Sequence, residues 1–294
     1  MTARDQRRGM LQVATLLGVG LMIGCGGGGS GAGLSPSPTR AAVANTPTPT
    51  PTGTPVGAAT STPAASGISV AEAIARNAQG AALLLNETVT TEGIVTVSAG
   101  ILANNKLKVF MQDGASGIMV YHQSAADVPA FQAGDQLRVT GVIRQADPIT
   151  DTAPAIGTIL IDVTAGSWQV LSSGNPLPAP QSFTLQQIEM NGDAYVGSLV
   201  TVANVQKVSG DWPPLGSKSA QVTVSDDAGA TTLVLRFQKN TITQQLVTSL
   251  TAIADGPFQL VGIVVQNDTT NDGSYFGDFE IWVRGADDIN PTSP

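Results

Sequence analysis

One cysteine, one histidine and few aromatic residues in 294 positions leave this chain short of the side chains that most site chemistry uses. A single thiol, Cys25, excludes any intrachain disulfide. A single imidazole, His122, excludes the Cys and His sets that hold zinc. It also has no cysteine nucleophile beside it, and no Gly-x-Ser-x-Gly elbow occurs; the nearest serine, Ser124, sits in a loop context. Positive charge is scarce too. Fourteen Lys and Arg face 22 Asp and Glu, a balance of −8, and a field of that sign repels phosphate chains unless a local basic groove overrides it. No apolar run reaches the ~20 residues of a membrane-spanning helix. Gly26 to Gly33 precedes a Pro/Thr-rich stretch rather than a helix, so it is no phosphate-binding loop.

What is present begins at the N-terminus. Arg4, Arg7 and Arg8 precede an uncharged run from Gly9 to Gly24, the order of an export signal, which assigns residues 1–24 to a signal peptide. Met22-Ile23-Gly24-Cys25 resembles the lipobox of bacterial lipoproteins, with Met22 where Leu is usual. The resemblance implies that Cys25 is acylated, palmitate among the chains, and becomes the N-terminus of an envelope protein anchored by lipid. Gly26 after the cysteine, rather than Asp, points to the outer membrane. Each buried methylene adds about 0.8 kcal/mol of membrane affinity, so several chains on one residue hold firmly. Removing the signal takes Arg4, Arg7, Arg8 and Asp5 with it and moves the charge from −8 to −10. Residues 25–66, with Thr46-Pro47-Thr48-Pro49-Thr50-Pro51-Thr52 at their centre, cannot bury a core and read as a disordered stalk.

From Ile68 onward apolar and polar residues alternate between Gly, Asp, Asn and Pro breaks, the pattern of an antiparallel all-β protein. The pattern occurs twice. The first copy has expected strands at 89–97, 106–113, 117–121, 134–143 and 158–161. The second has them at 197–202, 220–226, 232–237, 258–264 and 279–283, with a helix over 241–254 between its third and fourth. Asp113, Asp135 and Gly141 read as conformational residues of these turns and strands, Gln112 to Gly117 being the turn between strands two and three. Five strands with an insertion after the third is the plan of an OB-fold barrel. The phrases VTTEGIVTV, KVFMQDGASGIMVY and FQAGDQLRVTGVI resemble OB-fold modules of bacterial extracellular proteins, some of which precede secreted nuclease domains. The expected fold is therefore two consecutive five-stranded OB-fold-like barrels, 67–180 and 181–294, joined by a stiff linker around Pro178-Ala179-Pro180.

Such barrels bind ligands across strands two and three. In the first copy alternation puts Leu107, Val109 and Met111 inside, and Lys106, Lys108 and Phe110 outside. Strand three sends Met119 and Tyr121 outward, and Arg138 and Arg144 are assigned to the same surface. These seven residues are the expected ligand face. The equivalent face of the second copy shows Gln221, Thr223, Val234 and Arg236 without an aromatic pair. A calcium loop is the one metal candidate, with Asp268, Asp272 and Asp278 as ligands, although the spacing misses the Asp-x-Asp-x-Asp-Gly form; a polar hairpin explains the same residues. No cofactor is expected. The function so implied is a membrane-tethered, non-catalytic module that holds a protein or polymer. Single-stranded nucleic acid is the alternative, disfavoured by charge, and a hydrolase using carboxylates such as Asp211, Asp226 and Asp227 is the third.

Overall fold

A computed structural model describes residues 67–146, 157–254, 256–267 and 277–292, all within one compact unit. The signal sequence, Cys25 and the stalk lie outside the described residues, as do Asp268 and Asp272. Among the described residues no helix is long and apolar enough to cross a membrane.

The chain enters through a one-turn helix, α1 (Val70–Ala73). Ser69-Val70-Ala71-Glu72 closes it as a capping box: the Ser69 hydroxyl accepts the Glu72 N–H, and the Glu72 carboxylate accepts the Ser69 N–H. Five strands follow, β1 (Thr88–Val97), β2 (Leu107–Asp113), β3 (Ser116–His122), β4 (Gln136–Ala146) and β5 (Thr158–Ser172). They close in the order β1-β2-β3-β5-β4, antiparallel except for the β3–β5 pair. That cyclic order is the OB-fold-like barrel expected from the sequence.

A second set begins with β6 (Gln181–Ser182) and α2 (Leu185–Asn191), and continues through β7 (Leu199–Ser209), β8 (Ser219–Ser225) and β9 (Leu233–Gln238). It ends with α3 (Gln244–Ile253), β10 (Phe258–Gln266), β11 (Phe279–Val283) and β12 (Ile289–Pro291). A pairing of β10 with β7 closes β7-β8-β9-β11-β10 in the same cyclic order, again with the third and fifth strands parallel. The repeat in sequence is thus a repeat in topology.

Inward residues alternate as period two requires. Val109, Met111, Ile118, Val120, Leu137 and Val139 fill the first barrel, and Val222, Val224, Leu235, Phe237, Ile281 and Val283 the second. The two barrels are plugged differently. In the second, α3 buries Leu246, Leu250 and Ile253 at one-face spacing under its Thr243 cap. In the first, the link between β3 and β4 holds only a 3-10 turn at Ala125–Asp127, and Val70 and Ala73 of α1 pack into the core from the chain entrance.

Two expected strand ends move: β7 runs on to Ser209, past the expected end at Val202, and β5 runs on to Ser172, past the expected end at Ile161. Ala165-Gly166 breaks the hydrophobic pattern, yet the ladder with β4 continues, Val139 opposite Trp168 and Leu137 opposite Val170. A side chain at Gly166 would meet the Thr140 carbonyl oxygen at 2.0 Å, so glycine here lets the two backbones close up rather than ending the strand.

Candidate functional site

The surface expected to bind ligand is occupied. Phe110 and Met119 are directly opposed on β2 and β3, and both are fully buried. They pack with Val97, Leu102 and Leu160 of the first barrel against Leu199, Ile263, Val265 and Trp282 of the second. Outward alternation was read correctly, but outward here means toward the neighbouring barrel. Six apolar side chains on the first barrel, Ala146 included, and four on the second cover each other, which removes from water surfaces that neither barrel could leave exposed alone.

Polar contacts register the joint. Gln112 accepts the Leu199 N–H at 2.9 Å, and Ser198 and Gln181 each donate to the Ala115 carbonyl at 2.8 Å. Thr158 donates to the Gln266 carbonyl at 2.9 Å and accepts its N–H at 3.1 Å. Asn240 donates to Gly100, and Arg284 to the Thr96 carbonyl. Arg76, beside the chain entrance, faces Asp193 of the second barrel at 3.4 Å. Burial dominates both shifts, holding the Arg76 guanidinium below and the Asp193 carboxyl above their ordinary ranges, while their mutual attraction opposes each. The closest approach is glycine on glycine: a Cβ on Gly117 would sit 2.0 Å from the Gly197 carbonyl oxygen.

The other residues of the expected face are dispersed. Lys108 is buried and Tyr121 half-buried at the edge of the joint, with the Lys106 ammonium 5.9 Å from the Tyr121 ring centroid. Arg138 and Arg144 do not join them. Both lie on β4, whose neighbours are β1 and β5; Arg138 pairs with Glu92 at 2.7 Å, and Arg144 donates to Asn86 at 2.7 Å. Arg284 is held by Asp288 at 2.6 Å. Every arginine among the described residues is therefore engaged within the chain, and no basic groove forms from them.

Among the described residues the equivalent surface of the second barrel is open at three of its four expected positions, Arg236 being buried. Gln221 is exposed and Thr223 and Val234 are half-buried. Thr223 and Val234 line a trough of about 280 Å³ together with Glu189, Thr232, Asp278 and Glu280. Burial and the charge of Asp278 raise the Glu189 carboxyl above its usual range. Asp278 thus faces this trough. Among the described residues no three His, Cys, Asp or Glu side chains are grouped to hold a metal.

Glu280 escaped the sequence reading. It is buried and gathers donors from four residues: Arg236 through Nε and Nη2 at 2.5 and 2.7 Å, Trp282 at 3.0 Å, Asn267 at 3.1 Å and Gln221 at 3.4 Å. The signal was available. Alternation in Phe279-Glu280-Ile281-Trp282-Val283 turns Glu280 and Trp282 to the same outward face, and Arg236 stands opposite Trp282 in the β9–β11 pair.

The residues weighed for catalysis have local work. The His122 ring meets the Ser124 backbone through Nδ1 and lies edge-on to Trp168 at 5.8 Å. Asp226 accepts the Leu185 N–H at the start of α2. Asp227 accepts from Ser225 and from the Thr231 N–H, which hold its carboxyl below the ordinary range.

No family model matches the chain. It is 31% identical over 152 residues to endonuclease YhcR of Bacillus subtilis (strain 168), a match covering 51% of this chain and 12% of that protein. The chain therefore spans about an eighth of that relative's length. Among solved structures, a replication protein A heterotrimer bound to single-stranded DNA is 13% identical, with a TM-score of 0.31, over 65% of this chain and 47% of that one. A murine DNA-binding protein bound to double-stranded DNA is 8% identical, with a TM-score of 0.33, over 70% and 97%. The nucleic acids are those proteins' ligands.

Proposed function

We propose that this chain is a non-catalytic binding module of the cell envelope, anchored through lipid on Cys25, in which two docked barrels present one body to a protein partner. The observation that carries this reading is the asymmetry of the two ligand faces. The first barrel's face is closed by the second barrel, and the second barrel's face is open, uncharged at Gln221, Thr223 and Val234, and bordered by carboxylates. Such a surface suits a protein with polar and basic groups and repels a phosphate chain. The lipid anchor rests on the sequence of the N-terminus alone.

A photo-cross-linking residue at Thr223 in the native envelope is expected to capture one discrete protein, and the same residue at Phe110 none. In the same cells Cys25→Ser should move the chain from the membrane to the soluble fraction. Equal capture from both positions, or none at Thr223, contradicts the proposed face.

A second reading, single-stranded nucleic-acid binding, is favoured by one observation, the 31% identity of half the chain to part of an endonuclease. It requires a basic surface made without the arginines of the described residues, each of which is engaged within the chain.

A further inference from the structure

The C-terminal half of β5 is a sheet edge of unusual composition. β3 pairs with β5 only from Met119 to Tyr121, opposite Leu160 to Asp162. Beyond that point β4 continues along one side of β5 as far as Ser172. Among the described residues nothing hydrogen-bonds to the other side of the backbone from Ala165 to Ser172. Ala165, Gly166, Ser167, Gln169, Val170 and Ser172 are exposed, Val170 to 41%.

Free strand edges are normally guarded by lysine, proline or an inward-pointing charge, because their unpaired N–H and C=O groups recruit other strands. This one has none of those guards. From Val163 to Ile188 the chain carries no ionisable side chain at all, although the whole protein stands at −8. A second copy brings the same excess of negative charge, so its approach costs least where both surfaces are uncharged.

The side chains fit the same occupant. Val139 and Leu137 of the core stand opposite Trp168 and Val170, so those two share one face of β5, and Ser167 and Gln169 share the other; the ladder with β4 shifts register at Leu171. In a two-fold antiparallel pair centred on Gln169, Trp168 of each copy stands opposite Val170 of the other. That is an aromatic-to-β-branched cross-strand pair, among the favourable ones. The two Gln169 amides oppose each other on the other face, where they can exchange hydrogen bonds. An antiparallel pairing of one strand with itself is isologous and closes at two copies.

We propose that the chain forms a two-fold dimer by antiparallel pairing of β5 over residues 166–172, joining the two first barrels into one continuous sheet. The pairing uses the first barrel's edge and leaves the open face of the second barrel free, so it stands or falls independently of the partner proposed above.

The test uses the full-length chain carrying Cys25→Ser, so that an engineered thiol is the only one. Light scattering should give twice the chain mass, falling to one chain mass in Val170→Lys, which places a charge on the exposed edge. Under mild oxidation Gln169→Cys should give a disulfide-linked dimer, because directly opposed residues bring their Cβ atoms to about 5 Å. Ser172→Cys should not, since two copies of position 172 lie about 20 Å apart in that register at ~3.3 Å per residue. A single chain mass at all concentrations, a dimer unaffected by Val170→Lys, or cross-linking of Ser172→Cys as readily as Gln169→Cys would overturn the proposal. Circular dichroism of each variant separates loss of pairing from loss of fold.

Discussion

Gly117→Ala is expected to cost roughly 3 kcal/mol of folding stability, the upper part of the range for overpacking a close contact. The new methyl carbon would lie 2.0 Å from the Gly197 carbonyl oxygen and 2.6 Å from the Ser198 nitrogen, and both obstacles are backbone. Neither can swing aside as a side chain would. Relief requires moving β3 of the first barrel away from the start of β7, which opens the joint that buries Phe110, Met119 and Trp282. Gly114, three residues earlier, supplies the control. It sits at φ +57 with open space where its Cβ would be, so Gly114→Ala should cost only the ~1 kcal/mol of a left-handed turn residue. Urea unfolding of the two variants compares them directly. Equal costs would mean that the Gly117–Gly197 contact does not form.

Glu280→Gln is expected to cost about 3–5 kcal/mol, the range for removing one partner of a buried ion pair. The Arg236 guanidinium would stay where it is, 8% exposed, with no carboxylate facing it. The Trp282 indole and the Asn267 amide would share a weaker acceptor. Arg236→Met with Glu280→Leu should recover part of the loss, because it removes the stranded charge, although the donors of Trp282, Asn267 and Gln221 then lack their acceptor. A double-mutant cycle on unfolding free energies should therefore give a coupling of a few kcal/mol between positions 236 and 280. Additive single effects would show that Glu280 acts through the indole and amide rather than through the arginine. The network also fixes Trp282, whose ring belongs to the joint, so the pair connects the open face of the second barrel to the closed face of the first.

Much of this architecture was legible in the sequence, and the reason is periodicity. Alternation located the β2 and β3 core residues, and the repeat of strand phrases anticipated two barrels of one topology. What period two cannot supply is the identity of the layer beyond the barrel wall. Phe110 and Met119 point outward, as alternation requires, and are covered by Ile263 and Trp282, residues about 150 positions later that look equally exposed on their own strand. The seven residues of the expected ligand face also do not share one surface. Arg138 and Arg144 are near Phe110 in sequence order but sit two strands away around the barrel, since β4 pairs with β1 and β5. The extension of β5 was hidden by Gly166, a residue that reads as a break and serves as a close approach to Thr140. The trough beside Glu189 and Asp278 joins a helix before the second barrel to the residues leading into its last strand, a proximity set by closure of the barrel rather than by any local pattern.

Titration of the soluble chain, carrying Cys25→Ser, with fluorescently labelled single-stranded DNA at low and then physiological salt tests the central claim most directly. That claim is that the first barrel's strand-two and strand-three face is closed by its neighbour, and that the arginines among the described residues are engaged within the chain. It predicts no saturable binding at low salt, where a phosphate-dominated site would be at its tightest. Tight binding that falls steeply as salt rises, and that is lost when Lys108 and Phe110 are replaced in a folded variant, would contradict it and place a nucleic acid on that face.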